Sequence, residues 1–158
     1  MNMIKISFSD KNLNNSPDFK MEIYNEYGSD FDKKWYEWKK GFEDRNISEL
    51  EKLREQIKYV LDDIKKTEIE MKKIKRFRLF STYRNNKFLE LYNYVESQKY
   101  ISKILDAKIK LKVNEYKSNE YYKKEAYSFL KMNGFTYIFG KTETGRDGFK
   151  FIEEFWKK

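Results

Sequence analysis

A repeat of apolar residues every seven positions constrains the fold of this sequence more than any other pattern in it. The two seam positions of the repeat hold, in chain order, Leu50, Leu53, Ile57, Val60, Ile64, Thr67, Met71 and Ile74. Such a repeat places one apolar stripe along an α-helix, and the stripe is stable in water when another helix covers it. Because Ser48 and Glu51 have the spacing of a capping box, the pattern predicts a long helix from about residue 49 to residue 79.

A second long helix is predicted from about residue 87 to residue 117. Its apolar side carries Phe88, Leu91, Val95, Leu105, Ile109 and Tyr116. The two helical segments have equal lengths, which favours an antiparallel helical hairpin with its tip at residues 81–86. A single bent helix is one alternative, and a dimer that joins two stripes is another. Polar Gln98 and Lys112 interrupt the second stripe, and this favours an irregular internal partner over a dimer.

The N-terminal region predicts two strands and a short helix. Apolar and polar residues alternate over residues 3–9 and again over residues 19–25, which is the period of a half-buried strand. The loop between these segments favours a β-hairpin. A short amphipathic helix follows, with its apolar positions at Phe31, Trp35, Trp38 and Phe42. We expect this helix to stop near Gly41, because glycine is a poor helix former.

The C-terminal region predicts a third helix followed by a second β-hairpin. The helix begins near residue 119 and closes at Asn133-Gly134, a favourable C-cap pair. The segment FTYIF then pairs with FKFIEEFW, because Asp147-Gly148 favours a tight turn between them. The neighbouring pair Glu153 and Glu154 points to opposite sides of this strand, so the two carboxylates do not form a catalytic dyad.

The segment Gly140-Lys141-Thr142 has the letters that end a phosphate-binding loop. In that loop four residues separate the two glycines and a helix follows the threonine. Here five residues separate Gly134 from Gly140, and Phe135 stands where the first glycine is required. A strand, and not a helix, is predicted after Thr142. We therefore predict that these three residues lie at a turn or bulge of the hairpin and bind no phosphate.

Together these elements predict an α+β fold that is predominantly helical. A long, antiparallel, coiled-coil-like helical hairpin dominates it, and the N- and C-terminal β-hairpins form one small sheet. We expect a single domain over residues 1–158. Its three parts are a β-hairpin plus short helix (1–45), the long helical hairpin (47–117) and a helix plus β-hairpin (119–158).

The residue types that are missing narrow the chemistry. The chain has no histidine and no cysteine, so it lacks imidazole bases, thiol nucleophiles and the common zinc ligands. We expect no catalytic residue, no metal site and no cofactor. No apolar run approaches the roughly 18 residues of a membrane-spanning helix, so no membrane association is expected. The absence of cysteine also fits a reducing cytoplasm.

Residues 71–88 hold almost all of the excess positive charge. They contain seven basic residues and no acidic residue, whereas the net charge of the chain is +8, so the remainder contributes only +1. The basic residues are Lys72, Lys73, Lys75, Arg76, Arg78, Arg84 and Lys87. Aromatic residues are interleaved with them at Phe77, Phe80, Tyr83 and Phe88. Cations neutralise phosphates, and aromatic faces accept unstacked bases, so the segment predicts nucleic-acid contact with Phe80 and Tyr83 stacking.

Two other interpretations of the basic segment stay open. Cations at a helix C-terminus are favoured by the helix dipole without any ligand, so a solvated basic end is one of them. That explanation does not extend to Arg84 and Lys87, which lie near the start of the second helix, where cations are mildly unfavourable. An acidic protein partner is the other interpretation.

A short pattern resembles the PD-(D/E)xK nucleases. Pro17-Asp18 and Glu37-Trp38-Lys39 have a spacing that this family permits. The resemblance implies two carboxylates that hold Mg²⁺ and a lysine that assists the attacking water. The sequence departs from the family pattern, because the family places its Glu-x-Lys on a core strand and here the surrounding apolar spacing is helical.

The sequence therefore predicts a non-enzymatic protein that presents a basic, aromatic hairpin tip to nucleic acid or to a ribonucleoprotein. RNA is preferred over DNA, because the aromatic residues suit exposed bases and the sequence carries no helix-turn-helix or zinc-finger signature. A double-stranded A-form RNA fits the pattern equally well, because a rigid basic helix can follow phosphates without reading sequence. The alternative is a small adaptor or inhibitor from a phage or mobile element that acts in the host cytoplasm. It would dock on a nucleic-acid-processing protein such as a defence nuclease, with Trp38 and Trp156 as contact residues. The Mg²⁺-dependent nuclease is the third hypothesis. A monomer and a dimer are both compatible with the sequence.

Overall fold

The computed structural model of the chain describes residues 3–10, 17–24, 28–75 and 81–158. In chain order the elements are β1 (Met3–Ser9), β2 (Lys20–Tyr24), α1 (Gly28–Lys75), α2 (Thr82–Tyr116), α3 (Asn119–Met132), β3 (Thr136–Thr144) and β4 (Lys150–Lys157). This confirms the predominantly helical α+β fold. The chain divides into two compact units. We call Met1–Ile47 with Val113–Lys158 the sheet unit, and Ser48–Lys112 the hairpin unit.

The four strands of the sheet unit form one antiparallel sheet in the order β2-β1-β4-β3. The predicted joining of the two terminal hairpins is therefore confirmed, and it occurs through the β1–β4 pair. In that pair Ile4 lies opposite Trp156 and Ile6 lies opposite Glu154. The residues of β1 alternate between the two faces of the sheet, so Ile4, Ile6 and Phe8 share one face.

One face of the sheet packs against aromatic and aliphatic side chains of α1 and α3. The buried cluster consists of Ile4, Ile6, Phe31, Phe129, Leu130, Phe135 and Trp156. Phe129 packs at a tilted angle on Phe31 of this cluster and on the half-buried Trp35 beside it, with a centroid separation of 5.2 Å in each pair. Tilted ring pairs at this distance add to the free energy gained by burial alone. The aromatic residues thus supply much of the core of the sheet unit.

Helix α1 does not stop at Gly41 as predicted, and it continues through the expected cap at Ser48. Side-chain contacts within the sheet unit hold the segment after Gly41 in helical form. Phe42 is buried against the rings of Tyr121 and Tyr122, and Asn46 accepts a 2.7 Å hydrogen bond from the Tyr121 hydroxyl. A glycine costs a helix only about 1 kcal/mol. The free energy gained from these tertiary contacts exceeds that cost.

We expect Gly41→Ala to raise the free energy of unfolding by about 0.5–1 kcal/mol. Gly41 is exposed inside a helix, and a Cβ added there meets no atom within 4 Å. Gly134→Ala is the matched variant and is expected to lower the free energy of unfolding. The φ of Gly134 is +82°, and a side chain in this conformation costs about 1–2 kcal/mol. Urea unfolding of both variants measures the difference. A Gly41→Ala variant less stable than the natural sequence would contradict the continuous helix.

In the hairpin unit, residues 48–75 of α1 pack antiparallel on residues 82–112 of α2, which confirms the predicted helical hairpin. Lys112 Nζ lies 3.3 Å from Glu49 Oε2, and the Tyr94 hydroxyl donates to Asp63. All eight predicted seam residues of α1 are buried or half-buried, and so are the six predicted on α2. The predicted tip was partly wrong, because residues 82–86 belong to α2. Residues 76–80 lie outside the described part of the chain.

The GKT segment lies inside strand β3, in regular pairing with β4, so the prediction that it lies at a turn or bulge of the hairpin was wrong. Asn133 caps α3 and Gly134 adopts a left-handed φ, as predicted. Strand β3 extends to Thr144, beyond the predicted FTYIF, because β4 pairs with it along the whole length. A bulge falls between Tyr137 and Phe139, just before the GKT segment. No helix follows Thr142, so the segment does not form a phosphate loop.

Candidate nucleic-acid interface

We call residues 71–88 of the hairpin unit the basic tip; the structure describes it at residues 71–75 and 81–88. Lys72, Lys73 and Lys75 occupy the last turn of α1, and all three are exposed. Arg84 and Lys87 occupy the first two turns of α2. Both helix ends therefore present cations. Three further predicted contact residues, Arg76, Arg78 and Phe80, lie outside the described residues and stay predictions.

The lysines of the basic tip have no carboxylate partner in the described part of the chain. Lys72, Lys73 and Lys75 form no ion pair there. Elsewhere in the hairpin unit lysines do pair with carboxylates, as in Lys99–Glu96, Lys110–Asp106 and Lys112–Glu49. Since the sequence between residues 71 and 88 contains no acid, the positive charge of the basic tip is uncompensated by its own residues. A surface of this kind attracts polyanions.

The start of α2 places cations where the helix itself does not favour them. The Ser81 hydroxyl accepts a 3.4 Å hydrogen bond from the Arg84 amide, and the Ser81 carbonyl accepts a 3.0 Å bond from Asn85. These bonds cap the helix N-terminus. The first turn of α2 contains no acidic residue, although the N-terminal end of a helix dipole favours carboxylates. The dipole therefore accounts for the lysines of α1 but not for Arg84 and Lys87.

Two aromatic side chains of the basic tip have different environments. Tyr83 is 77% exposed, which leaves its ring accessible to a stacking partner. Phe88 is half-buried and lines a cleft of about 190 Å³ with Glu68, Met71, Lys72 and Lys75. Phe88 thus packs between the helices, as its position in the predicted apolar stripe indicates, while Tyr83 is available for contact.

The residues of the nuclease-like pattern lie in separate settings. Asp18 accepts hydrogen bonds from the Ser9 amide (3.1 Å), the Ser9 hydroxyl (2.5 Å) and the Asn119 amide (2.5 Å). Burial raises the pKa of Asp18, but these hydrogen bonds outweigh it and lower the pKa below its ordinary value. Glu37 lies on α1, as the helical spacing predicted, and lines a different cleft from Asp18. Among the described residues, no group of three or more acidic side chains could hold a metal ion.

The two predicted contact tryptophans both belong to the sheet unit. Trp156 is buried to 3% exposure, and Trp38 is half-buried against the same core. Phe155, the neighbour of Trp156, lies on the opposite face of the sheet and stacks on Phe139 at 4.6 Å. Truncation of Trp156 would therefore disturb packing as well as any contact with a partner. A partner role for the two tryptophans stays a prediction.

Comparison of the chain with protein-family models, with curated proteins and with solved structures found no significant match. Within the described ranges, no helix combines the length and the apolar character that crossing a membrane requires.

Proposed function

We propose that this protein binds nucleic acid through the basic tip, with single-stranded RNA as the preferred ligand. The observation that supports the proposal most directly is the set of cations at both helix ends of the tip, with no acid between residues 71 and 88. Lys72, Lys73 and Lys75 are exposed and form no ion pair within the described residues. Phosphates are the ligands that such a set of cations neutralises.

The mechanism follows from the different roles of the charged and aromatic side chains. Lysine and arginine side chains contact phosphates and carry no sequence information. The exposed ring of Tyr83 stacks on a base, and a base is available for stacking where the strand is unpaired. Single-stranded RNA offers both phosphates and unpaired bases, whereas a duplex keeps its bases stacked. Binding is therefore expected to depend strongly on salt and weakly on sequence.

We expect the affinity for a single-stranded RNA to fall steeply with salt. Five described cations and the two at residues 76 and 78 contact about five to seven phosphates, which predicts a slope of log K against log salt of roughly −3.5 to −5. Fluorescence anisotropy with a labelled oligonucleotide, without Mg²⁺, measures this slope. The same series with duplex RNA and duplex DNA compares the ligand classes.

The salt series also distinguishes the competing hypotheses. Weak binding to all three ligands would contradict the proposed function and favour a protein partner. Tighter binding to duplex DNA than to single-stranded RNA would overturn the preferred ligand. A slope near zero with tight binding would show that phosphate contacts do not supply the affinity.

A further inference from the structure

A cavity of about 700 Å³ opens in the sheet unit, remote in sequence from the basic tip. Its lining residues are Tyr127, Lys131, Gly134, Phe135, Thr136, Tyr137, Glu154 and Trp156. Four of these are aromatic, and the volume falls within the roughly 300–1,000 Å³ of ligand pockets. The Trp156 ring lies 5.0 Å from that of Tyr127 and 5.7 Å from that of Tyr137, measured between centroids. The cavity thus has aromatic walls from α3, β3 and β4.

An acidic side chain is buried in these aromatic walls without a cationic partner. Glu154 is only 8% exposed, and it forms no ion pair with any described residue. Its carboxylate accepts a hydrogen bond from the Tyr127 hydroxyl. Burial and this contact raise the pKa of Tyr127, so the phenol stays protonated and continues to donate. Buried carboxylates are nearly always paired with a cation.

Aromatic faces around a carboxylate are a suitable environment for an organic cation. The ring quadrupole attracts ammonium and guanidinium groups, and a carboxylate binds guanidinium through two parallel hydrogen bonds. Cations of the chain already lie over two of these rings: Lys123 Nζ is 5.5 Å from the Tyr127 centroid, and Lys158 Nζ is 5.9 Å from that of Phe135. Neither lysine pairs with Glu154.

The position of the cavity indicates what kind of molecule carries the cation. Thr136 and Tyr137 open β3, which is an edge strand of the described sheet and is exposed along its whole length. The free backbone edge of such a strand can pair with an extended peptide.

We propose that this cavity binds an arginine side chain of a polypeptide partner, with Glu154 pairing the guanidinium and the aromatic walls stacking on it. The partner segment lies extended along β3. This site is independent of the proposed nucleic-acid function, because it uses residues of the sheet unit only.

The test uses the full chain and two pairs of probes. Blocked arginine (N-acetyl-arginine-N-methylamide) is titrated against blocked citrulline, its uncharged isostere, while NMR follows the Trp156 indole N–H signal. A pentapeptide with central arginine, Ac-Thr-Val-Arg-Val-Thr-NH₂, is compared with its citrulline counterpart. We expect saturable binding of the arginine probes only, and we expect the pentapeptide to bind at least about tenfold tighter than blocked arginine because its backbone pairs with β3.

Glu154→Gln and Glu153→Gln form a charge-matched pair of variants on adjacent residues of β4. Glu154→Gln is expected to weaken the arginine probes by about 10- to 100-fold. Glu153 lies on the other face of the sheet, and its Oε1 is 3.8 Å from Lys5 Nζ, so its variant is expected to bind normally.

Equal binding of arginine and citrulline, or equal binding by the two variants, would overturn the proposal. Equal affinity of pentapeptide and blocked arginine would overturn the polypeptide partner, and displacement of the probes by a mononucleotide would assign the cavity to a base.

Discussion

Leu130→Ala is expected to lower the free energy of unfolding of the sheet unit by about 3–4 kcal/mol. Leu130 lies on α3 and is completely buried in the core cluster of that unit. Truncation removes buried methyl groups and leaves a cavity that rigid aromatic neighbours fill poorly, which places the loss above the lower end of the roughly 2–5 kcal/mol range for Leu→Ala substitutions. A loss of this size is a large fraction of the 5–15 kcal/mol that stabilises an ordinary domain.

Tryptophan fluorescence during urea unfolding measures this effect in the relevant unit, because Trp35, Trp38 and Trp156 all belong to the sheet unit. Met132→Ala is the matched control at the end of the same helix. Met132 is 74% exposed, so its truncation is expected to change the stability by less than about 0.5 kcal/mol. Equal unfolding midpoints for the two variants would contradict the assignment of Leu130 to the core.

The helical hairpin could be predicted because its signal is repeated many times. Every seam residue from Leu50 to Ile74 is at least half-buried in the structure. A single interruption such as Thr67 does not change the period, and the Thr67 hydroxyl donates to the Asp63 carbonyl within the helix. Long periodic patterns are robust because packing of one whole helix face decides the outcome.

Helix boundaries could not be predicted because each depends on one or two weak local signals. Gly41 and the Ser48–Glu51 capping box each contribute about 1 kcal/mol. They are outweighed by the burial of Phe42 and by the hydrogen bond between Asn46 and Tyr121. These contacts join residues far apart in sequence, and no local pattern reports them.

The candidate cavity of the sheet unit was not predicted, although one signal for it is present in the sequence. Glu154 lies between Ile152 and Trp156 on the alternating apolar face of a predicted strand. An acid at such a position is buried with a partner or faces a cavity. Tyr127, which supplies the hydrogen bond to it, comes from α3, and only the tertiary fold brings the two together.

The replacement of Lys72, Lys73 and Lys75 by Gln is expected to weaken binding to single-stranded RNA by about 100-fold at 0.1 M salt. Each phosphate contact contributes roughly 0.7 to the slope of log K against log salt, so three lost contacts reduce the steepness by about 2. Because the electrostatic contribution vanishes near 1 M salt, the natural and variant proteins should converge there. The three lysines are exposed, so their replacement by Gln should leave the unfolding transition of the hairpin unit nearly unchanged.

A second triple variant separates a local site from the effect of total charge. Lys52, Lys103 and Lys108 are exposed in the hairpin unit, and their replacement by Gln lowers the net charge by the same amount. None of them lies in the basic tip. A diffuse electrostatic field that depends on total charge alone predicts equal losses of affinity for the two triple variants. Charges more than about 10 Å from a local binding site, in contrast, are largely screened at 0.1 M salt. A site at the basic tip predicts a loss of affinity only in the variant of Lys72, Lys73 and Lys75.

Equal losses in the two variants would reject the tip as the binding site while leaving nucleic-acid binding itself intact. An unchanged affinity in both variants would reject phosphate contacts by all six lysines.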